Sequence, residues 1–341
     1  MVKSSFVDHP AGKLPEPPIG VLSSLTTGFD RVAARPALLL PPLVLDALLW
    51  LGPRLRITAL LSAAVATVTS QLAVDPSAAK LVEGLQQWQN EDAIRVNVLS
   101  ALSSLPIGIP SLMAIRMPAV GPFGSAAGIE VPGMGALVGL WLALTLVGVG
   151  LGSAYHIWAA RLVAPRSEVS PLLPAWARLA VLAFTGYLVA FVLVFITLLV
   201  STLLASLDTT IGMVGALAGA SLIFWVAVYF MFSPHGIVRY RLGVLRSLVE
   251  SAQVVRWNMV STGAFVVIAL GINWLTSWVW SLPGEDSWYS LLAVVGHAFV
   301  STTLVVGSYA FYQGRREWTV KVRQLLADRR AAPPRPPEVG L

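Results

Sequence analysis

The sequence predicts an all-α, polytopic integral membrane protein with six transmembrane helices, amphipathic interfacial helices and an extracytoplasmic helical cap. Composition is the first reason: 56% of the 341 residues are hydrophobic and 12% are charged, whereas a soluble domain has about 25% charged residues. The second is a mean hydropathy of +0.75. The third is a series of apolar runs that approach or exceed the roughly 18–20 residues needed to cross a bilayer. Lipid is therefore the expected solvent for most of the chain.

The residue types also limit the chemistry. The chain has no cysteine, which excludes disulfides, thiolate metal sites and a cysteine nucleophile. Its four histidines are scattered, and no metal-ligand spacing, phosphate-binding glycine loop or nucleophile elbow is present. We therefore expect no metal, no cofactor and no enzymatic activity. The net charge of +6 is attributed to membrane topology and not to nucleic-acid binding.

The N-terminal region is predicted to hold a tail, a surface helix and the first span. Residues 1–18 are rich in proline and polar side chains, which is typical of a disordered tail. Residues 19–52 combine an interfacial helix over 19–35 with a span over 36–52. The helix is indicated by apolar residues at helical spacing, namely Ile19, Leu22, Leu25, Phe29 and Val32. Pro41 and Pro42 are expected to bend the span, because proline removes a backbone donor.

Residues 53–133 are predicted to form the helical cap outside the membrane. Residues 77–102 are polar with a mostly helical pattern, and a run rich in glycine and proline over 117–133 closes the region. Residues 57–74 are amphipathic but uncharged, and their length is just sufficient to cross a bilayer. The sequence leaves open whether this segment is interfacial or re-entrant.

Residues 134–312 are predicted to form a five-span membrane bundle. The spans cover 134–158, 174–206, 211–232, 259–282 and 288–312, with a cytoplasmic amphipathic helix over 234–258. A basic, proline-rich cytoplasmic tail is predicted over 313–341. Gly148 and Gly152, like Gly215 and Gly219, place small residues on one helix face, and such faces let helices approach closely. We expect them to pack within the chain.

Charge asymmetry predicts the orientation. Residues 1–35, the loop over 159–173, the helix over 234–258 and the tail over 313–341, taken together with Arg178, hold 18 of the 23 Lys and Arg residues. The Lys and Arg bias places these parts in the cytoplasm, with both termini there. A seventh span over 57–74 would place every later loop on the opposite side of the membrane, which would contradict the Lys and Arg bias of cytoplasmic loops. The predicted location is a bacterial inner membrane, crossed several times.

Four arginines are candidates for contacts with anionic lipid headgroups on the cytoplasmic side. Arg239, Arg241, Arg246 and Arg256 lie opposite, or at the edge of, the apolar face of the predicted helix over 234–258. Arginine stems on such a helix reach toward the headgroup layer. Two alternatives stay open: a plain anchor between two spans, and a site that binds a protein partner or senses lipid.

Short motifs carry a resemblance to a loose group of bacterial membrane proteins. The first motif is Glu250-Ser251 followed by the run at 255–258, Val-Arg-Trp-Asn, directly before an apolar span. The others are Arg35-Pro36 with Asp46 and the Leu-Gly-Pro at 51–53, and the segment over 297–315. Together they resemble the membrane domain attached to some glycerophosphodiester phosphodiesterases. The resemblance implies a six-helix membrane fold without an assigned activity. No segment here resembles the soluble catalytic domain, so it does not imply that reaction.

Three polar side chains are predicted to lie at a similar depth inside the bundle. Asp46, Asn273 and His297 are each six to nine residues from the outer end of their span, which is about 9–14 Å along a helix. Ionisable groups inside spans are functional candidates because their burial is costly. An Asp–His pair there could relay protons or hold a cation. The alternatives are a structural hydrogen-bond network, or an Asp46 that reaches Arg54 or Arg56. His156 is expected at the interface and His235 in a turn.

Two functions from different classes follow. The first is a non-enzymatic membrane protein, a scaffold or accessory component in envelope or lipid homeostasis, whose expected partners are the lipid bilayer and another, unknown membrane protein. The alternative is a small-solute or lipid transporter with a polar site at Asp46, Asn273 and His297. A membrane-embedded enzyme would need a nucleophile with its base, or a metal site, and the sequence shows neither. A scaffold predicts a dry, closely packed interior, whereas a transporter predicts a cavity that water can reach.

Overall fold

The structure is a computed structural model that describes residues 15–73, 78–91, 93–104 and 107–331. The first 14 residues of the predicted N-terminal tail, Val74 of the segment 57–74, and the last ten residues of the chain lie outside this range. The described helices are α1 Val21–Ala34, α2 Leu40–Leu51, α3 Thr58–Leu72, α4 Ala79–Glu91, α5 Leu112–Arg116, α6 Met134–Val163, α7 Leu172–Ala205, α8 Thr209–Phe230, α9 Ser233–Tyr240, α10 Val244–Trp257, α11 Met259–Trp280 and α12 Ser290–Ala331. Two short strands, β1 Arg54–Arg56 and β2 Gly128–Glu130, pair in parallel.

The predicted fold class is confirmed. Among the described residues, five stretches of helix are long and apolar enough to cross a membrane: α6, α7, the combined stretch Thr209–Tyr240, α11 and α12. Helix α1 and the stretch Pro36–Leu51 meet at 97°, and they add a sixth crossing if the pair forms one broken span. The chain is an all-α, multi-pass membrane protein.

Two groups of connections define the ends of the bundle. At the first, called the cap end, Arg116 donates to the carbonyls of Trp280 and Pro283, and β1 pairs with β2. At the second, called the connector end, Ser170 donates its N–H to the carbonyl of Val238. Arg178 also binds the carbonyl of Arg241 there, at 2.8 Å. These contacts place the loops at 117–133 and 281–289 at one end and those at 164–171 and 241–243 at the other.

Helix α1 lies along α12, a contact that the predicted interfacial helix did not include. A side chain at Gly28 would collide with the backbone of Thr303 and Gly307, so two glycines allow the helices to approach closely. The chain then bends between α1 and Pro36. The predicted bend at Pro41 and Pro42 is wrong: these prolines begin α2, where a helix needs no N–H donor from them.

The predicted cap divides into two parts. Helices α3 and α4 pack on each other and are largely exposed, with Val65 the buried residue of α3. Residues 98–104 and 107–109 instead pack against α6, where side chains at Gly148 and Gly152 would collide with the carbonyls of Leu102 and Ile107. Gly148 lies about 21 Å along α6 from its first residue. This part of the predicted cap therefore lies beside the middle of a candidate span, and the partners of these glycines are the short 3-10 helix Val98–Ser103 and the loop at Ile107, not a membrane-spanning helix.

Helices α7 and α8 form a long hairpin with most of its side chains exposed. Asp208 begins α8 and accepts hydrogen bonds from the N–H groups of Thr210 and Ile211, at 2.8 and 3.1 Å. Gly215 and Gly219 face Leu204 and Thr197 of α7, which agrees with the expected packing of this small-residue face within the chain.

The predicted single helix over 234–258 is two helices. The break falls at Arg241, whose φ of 55° is in the left-handed region and ends α9. Helix α10 buries Ser247, Ser251, Val254 and Val255, while Leu245 from its predicted apolar face is 80% exposed. The predicted tail from residue 313 is also corrected, because α12 continues as helix to Ala331.

Candidate functional site

Asp46 is fully buried in α2 and binds a segment of the predicted cap. Its Oδ1 accepts hydrogen bonds from the Ser111 hydroxyl at 2.5 Å and from the Met113 N–H at 2.9 Å. Ser111 also begins α5, accepting from the Ala114 N–H at 3.0 Å. The carboxylate thus ties the start of α5 to α2. Its second oxygen, Oδ2, has no hydrogen-bond partner among the described residues.

The structure does not join Asp46 to its predicted neighbours by hydrogen bonds. His297 is buried in α12, and its Nε2 has no partner in the described part of the chain. Asn273 is half-buried in α11. Depth along a span gives one coordinate of a side chain, but the direction in which it points depends on how each helix is rotated. The predicted cluster is therefore present as two buried polar groups and one half-buried group, not as a connected network.

The four predicted headgroup arginines divide into two pairs. Arg239 is 4% exposed and forms an ion pair with Glu168 at 2.6 Å. Arg241 donates to the carbonyls of Ser167 and Val169, at 2.6 and 3.1 Å. Arg239 is buried within the protein, which corrects its predicted role, whereas Arg241 is exposed as well as hydrogen-bonded. Arg246 and Arg256 are exposed on α10, as the prediction requires.

A charged pair fastens α10 to α12 at the connector end. Arg316 forms a two-pronged ion pair with Glu250, and the Tyr312 hydroxyl donates to the same carboxylate at 2.9 Å. The Arg316 guanidinium also lies 3.7 Å from the centre of the Tyr240 ring, a favourable cation–π distance. Three helices, α9, α10 and α12, are held together by this group.

A buried histidine–tyrosine group was missed by sequence reasoning. His156 of α6 hydrogen-bonds through Nδ1 to the Tyr309 hydroxyl at 3.2 Å, and the Tyr309 ring lies 4.3 Å from that of His235. His235 hydrogen-bonds to Ser308 at 2.7 Å. Each histidine is within two turns of a helix end, where the sequence favours an interface or a turn. Packing of α12 between them buries both, and the sequence contains no signal for that packing.

Glu285 fastens the loop between α11 and α12 to the cap. Its carboxylate pairs with Arg95 and accepts from the Ala119 N–H at 2.8 Å, while its carbonyl accepts from Trp50 Nε1 at 2.9 Å. Burial alone would raise the pKa of Glu285. The hydrogen bonds from Arg95 and Ala119, with the charges of Arg95 and Arg116, outweigh it and lower the pKa below its ordinary value.

Comparison with known proteins gives no relative. No family model matches the chain, and neither a curated protein nor a solved structure matches it. Among the described residues, no group of three or more His, Asp or Glu side chains is placed to hold a metal ion. The geometry of the polar groups is thus the available guide to function, and most of these groups link one structural element to another.

Proposed function

We propose that this chain is a non-enzymatic, multi-pass protein of the bacterial inner membrane that acts as a scaffold or accessory component in envelope or lipid homeostasis. Both termini lie in the cytoplasm in this proposal, so the connector end is cytoplasmic. The Lys and Arg bias supports this orientation. The short motifs shared with the membrane domain of some glycerophosphodiester phosphodiesterases support the lipid context.

One observation carries the proposal: charged side chains, in the bundle and at its connector end, are used to connect structural elements. Asp46 binds the start of α5, Glu250 binds Arg316, and Arg239 binds Glu168. A transport site needs polar groups that are free to exchange partners with a solute, whereas fixed contacts favour a rigid framework. The proposed role is therefore to present a fixed surface in the membrane.

A second candidate function is transport of a small solute or a lipid. The observation that favours it is that Asp46 Oδ2 and His297 Nε2 are among the buried polar atoms with no hydrogen-bond partner in the described part of the chain. Unpaired buried polar atoms are costly and often mark functional positions. A transporter would fill these positions with water or a solute.

Cysteine accessibility separates the two proposals, since the natural chain has no cysteine. Single replacements Asp46→Cys, Asn273→Cys and His297→Cys are treated with a membrane-impermeant maleimide added from outside intact cells. Asp286→Cys, at an exposed loop position, is the positive control. The scaffold proposal predicts labelling at residue 286 and none at the other three. Labelling at Asp46→Cys and His297→Cys would reject it in favour of a water-filled transport path.

A further inference from the structure

A cavity of about 300 Å³ opens on the side of the bundle near the connector end. It is lined by Arg35, Ala154, Trp158, Arg161, Leu162 and Arg166. The volume is at the lower end of the range of small-molecule sites, about 300–1,000 Å³. The lining comes from three separate parts of the chain: the bend after α1, the last turns of α6, and the loop that follows α6. The fold therefore brings Arg35 close to Arg161 and Arg166, which lie much further along the chain.

Among the described residues, several arginines at this end are bound within the protein, whereas these three are not. Arg239, Arg241 and Arg316 each bind a carboxylate or a carbonyl of the protein. In the part of the chain that the structure describes, the guanidinium groups of Arg35, Arg161 and Arg166 make no hydrogen bond and no ion pair. Three like charges around one cavity repel one another, so an anion between them is favoured. Guanidinium groups match phosphate oxygens in charge and in two-pronged geometry.

The surface of α6 beside the cavity indicates which class of molecule bears the anionic group. Exposed residues at helical spacing form a stripe that is apolar first, then aromatic, then basic: Val147, Leu151, Ala154, Trp158 and Arg161. Trp158 is 38% exposed, and a tryptophan at this height is typical of the boundary between hydrocarbon and headgroups. An acyl chain fits the apolar part of the stripe, and a headgroup fits the basic part.

We propose that this cavity binds the phosphate group of an anionic phospholipid in the leaflet at the connector end. Arg35, Arg161 and Arg166 contact the phosphate, Trp158 lies at the glycerol level, and one acyl chain lies along Leu151 and Val147. None of these arginines belongs to the four that the sequence singled out for headgroup contact. The site is independent of the scaffold proposal, since a transporter would bind such a lipid equally well.

The test is lipid binding to the purified full chain in detergent, measured by native mass spectrometry. The probes are phosphatidylglycerol, phosphatidylcholine and inorganic phosphate. The first variant, R35Q/R161Q/R166Q, removes the three charges of the cavity. The control, K321Q/R323Q, removes two charges from exposed positions of α12 at the same end. A third variant, Ala154→Trp, keeps every charge and fills the cavity. Thermal unfolding and size-exclusion profiles check that each variant is folded.

We expect the natural chain to retain one phosphatidylglycerol more tightly than phosphatidylcholine. The cavity variant should weaken that binding about tenfold or more, because each charge near a headgroup contributes about 1 kcal/mol. Ala154→Trp should weaken it as well, and the control should not. Equal losses in the cavity variant and the control would overturn the proposal in favour of diffuse charge attraction. Displacement of the lipid by millimolar inorganic phosphate would overturn the lipid assignment and indicate a soluble phosphate ligand.

Discussion

At the scale of single residues, the polar groups of this protein mainly connect structural elements through hydrogen bonds and ion pairs. Asp46 shows this most clearly, because one of its oxygens serves both the hydroxyl and the backbone at the start of α5. A carboxylate at that position replaces the water that those donors would otherwise bind. Its burial is tolerated because the donors are fixed by the fold.

Substitution of Asp46 should separate its hydrogen bonds from its charge. Asp46→Ala leaves the Ser111 hydroxyl and the Met113 N–H without their acceptor, so we expect the free energy of unfolding to fall by about 1–3 kcal/mol. Asp46→Asn keeps an acceptor oxygen and should cost clearly less. Thermal or denaturant unfolding in detergent measures both. Equal losses in the two variants would show that the charge itself, and not the acceptor, is required.

Glu285 should make stability depend on acid pH. Its pKa is lower in the folded protein than its ordinary value of 4.5, so ionised Glu285 stabilises the fold at every pH above about 4.5. That contribution is lost as the pH falls below 4.5 and through the lowered pKa. Glu285→Gln should therefore reduce stability at pH 7 and flatten the loss of stability between pH 5 and pH 3, in unfolding curves recorded across that range. A variant with an unchanged acid slope would contradict this role.

The partners of Asp46 also show where sequence reasoning stops. The sequence identifies Asp46 as a buried polar group, because a carboxylate in an apolar run is unusual. It does not identify Ser111, which is 65 residues away in a region predicted to lie outside the membrane. The sequence does not predict the burial of His156 and His235 for the same reason. Each is near a helix end, and its burial depends on how α12 packs against it.

At the scale of elements, close approach to α6 decides the position of residues 98–104 and 107–109. Two glycines one turn apart leave a groove, and the carbonyls of Leu102 and Ile107 fill it. The sequence predicts the small face but not its partner, because glycine spacing indicates close approach without saying what approaches. The same limit explains the predicted tail from residue 313: its polarity indicates exposure, yet Asn258 bonds to Thr319 at 3.0 Å and α12 continues.

Gly152→Ala tests this packing against a matched control. The added methyl would meet the backbone at Ile107 and Gly108, so we expect a loss of about 1–3 kcal/mol in the free energy of unfolding from overpacking. Gly139→Ala is the control in the same helix, because a methyl there meets no atom within 4 Å. It should be neutral or slightly stabilising, since alanine favours helix over glycine. Similar effects of both would argue against the close contact with Ile107 and Gly108.

At the scale of the whole molecule, composition and apolar length predict the fold class correctly. Five helices pass the length and composition requirement, as the apolar runs indicate. The length of the apolar runs does not decide whether α1 and α2 together cross the membrane. Helix α1 lies along α12 near Thr303 and Gly307, and the chain then turns by 97° toward the cap end. If this bent pair crosses the membrane, the chain has an even number of spans and both termini lie on one side.

The most direct test of the account is therefore the topology of the full chain in cells. Reporter pairs that are active only inside or only outside the cytoplasm are fused at the N-terminus, after Leu207, after Arg241, after Gly284 and at the C-terminus. The account predicts a cytoplasmic signal at both termini and after Arg241, and an external signal after Leu207 and Gly284. An external N-terminus with the other four signals unchanged would show that α1 and α2 do not cross. A reversed pattern throughout would contradict the proposed orientation.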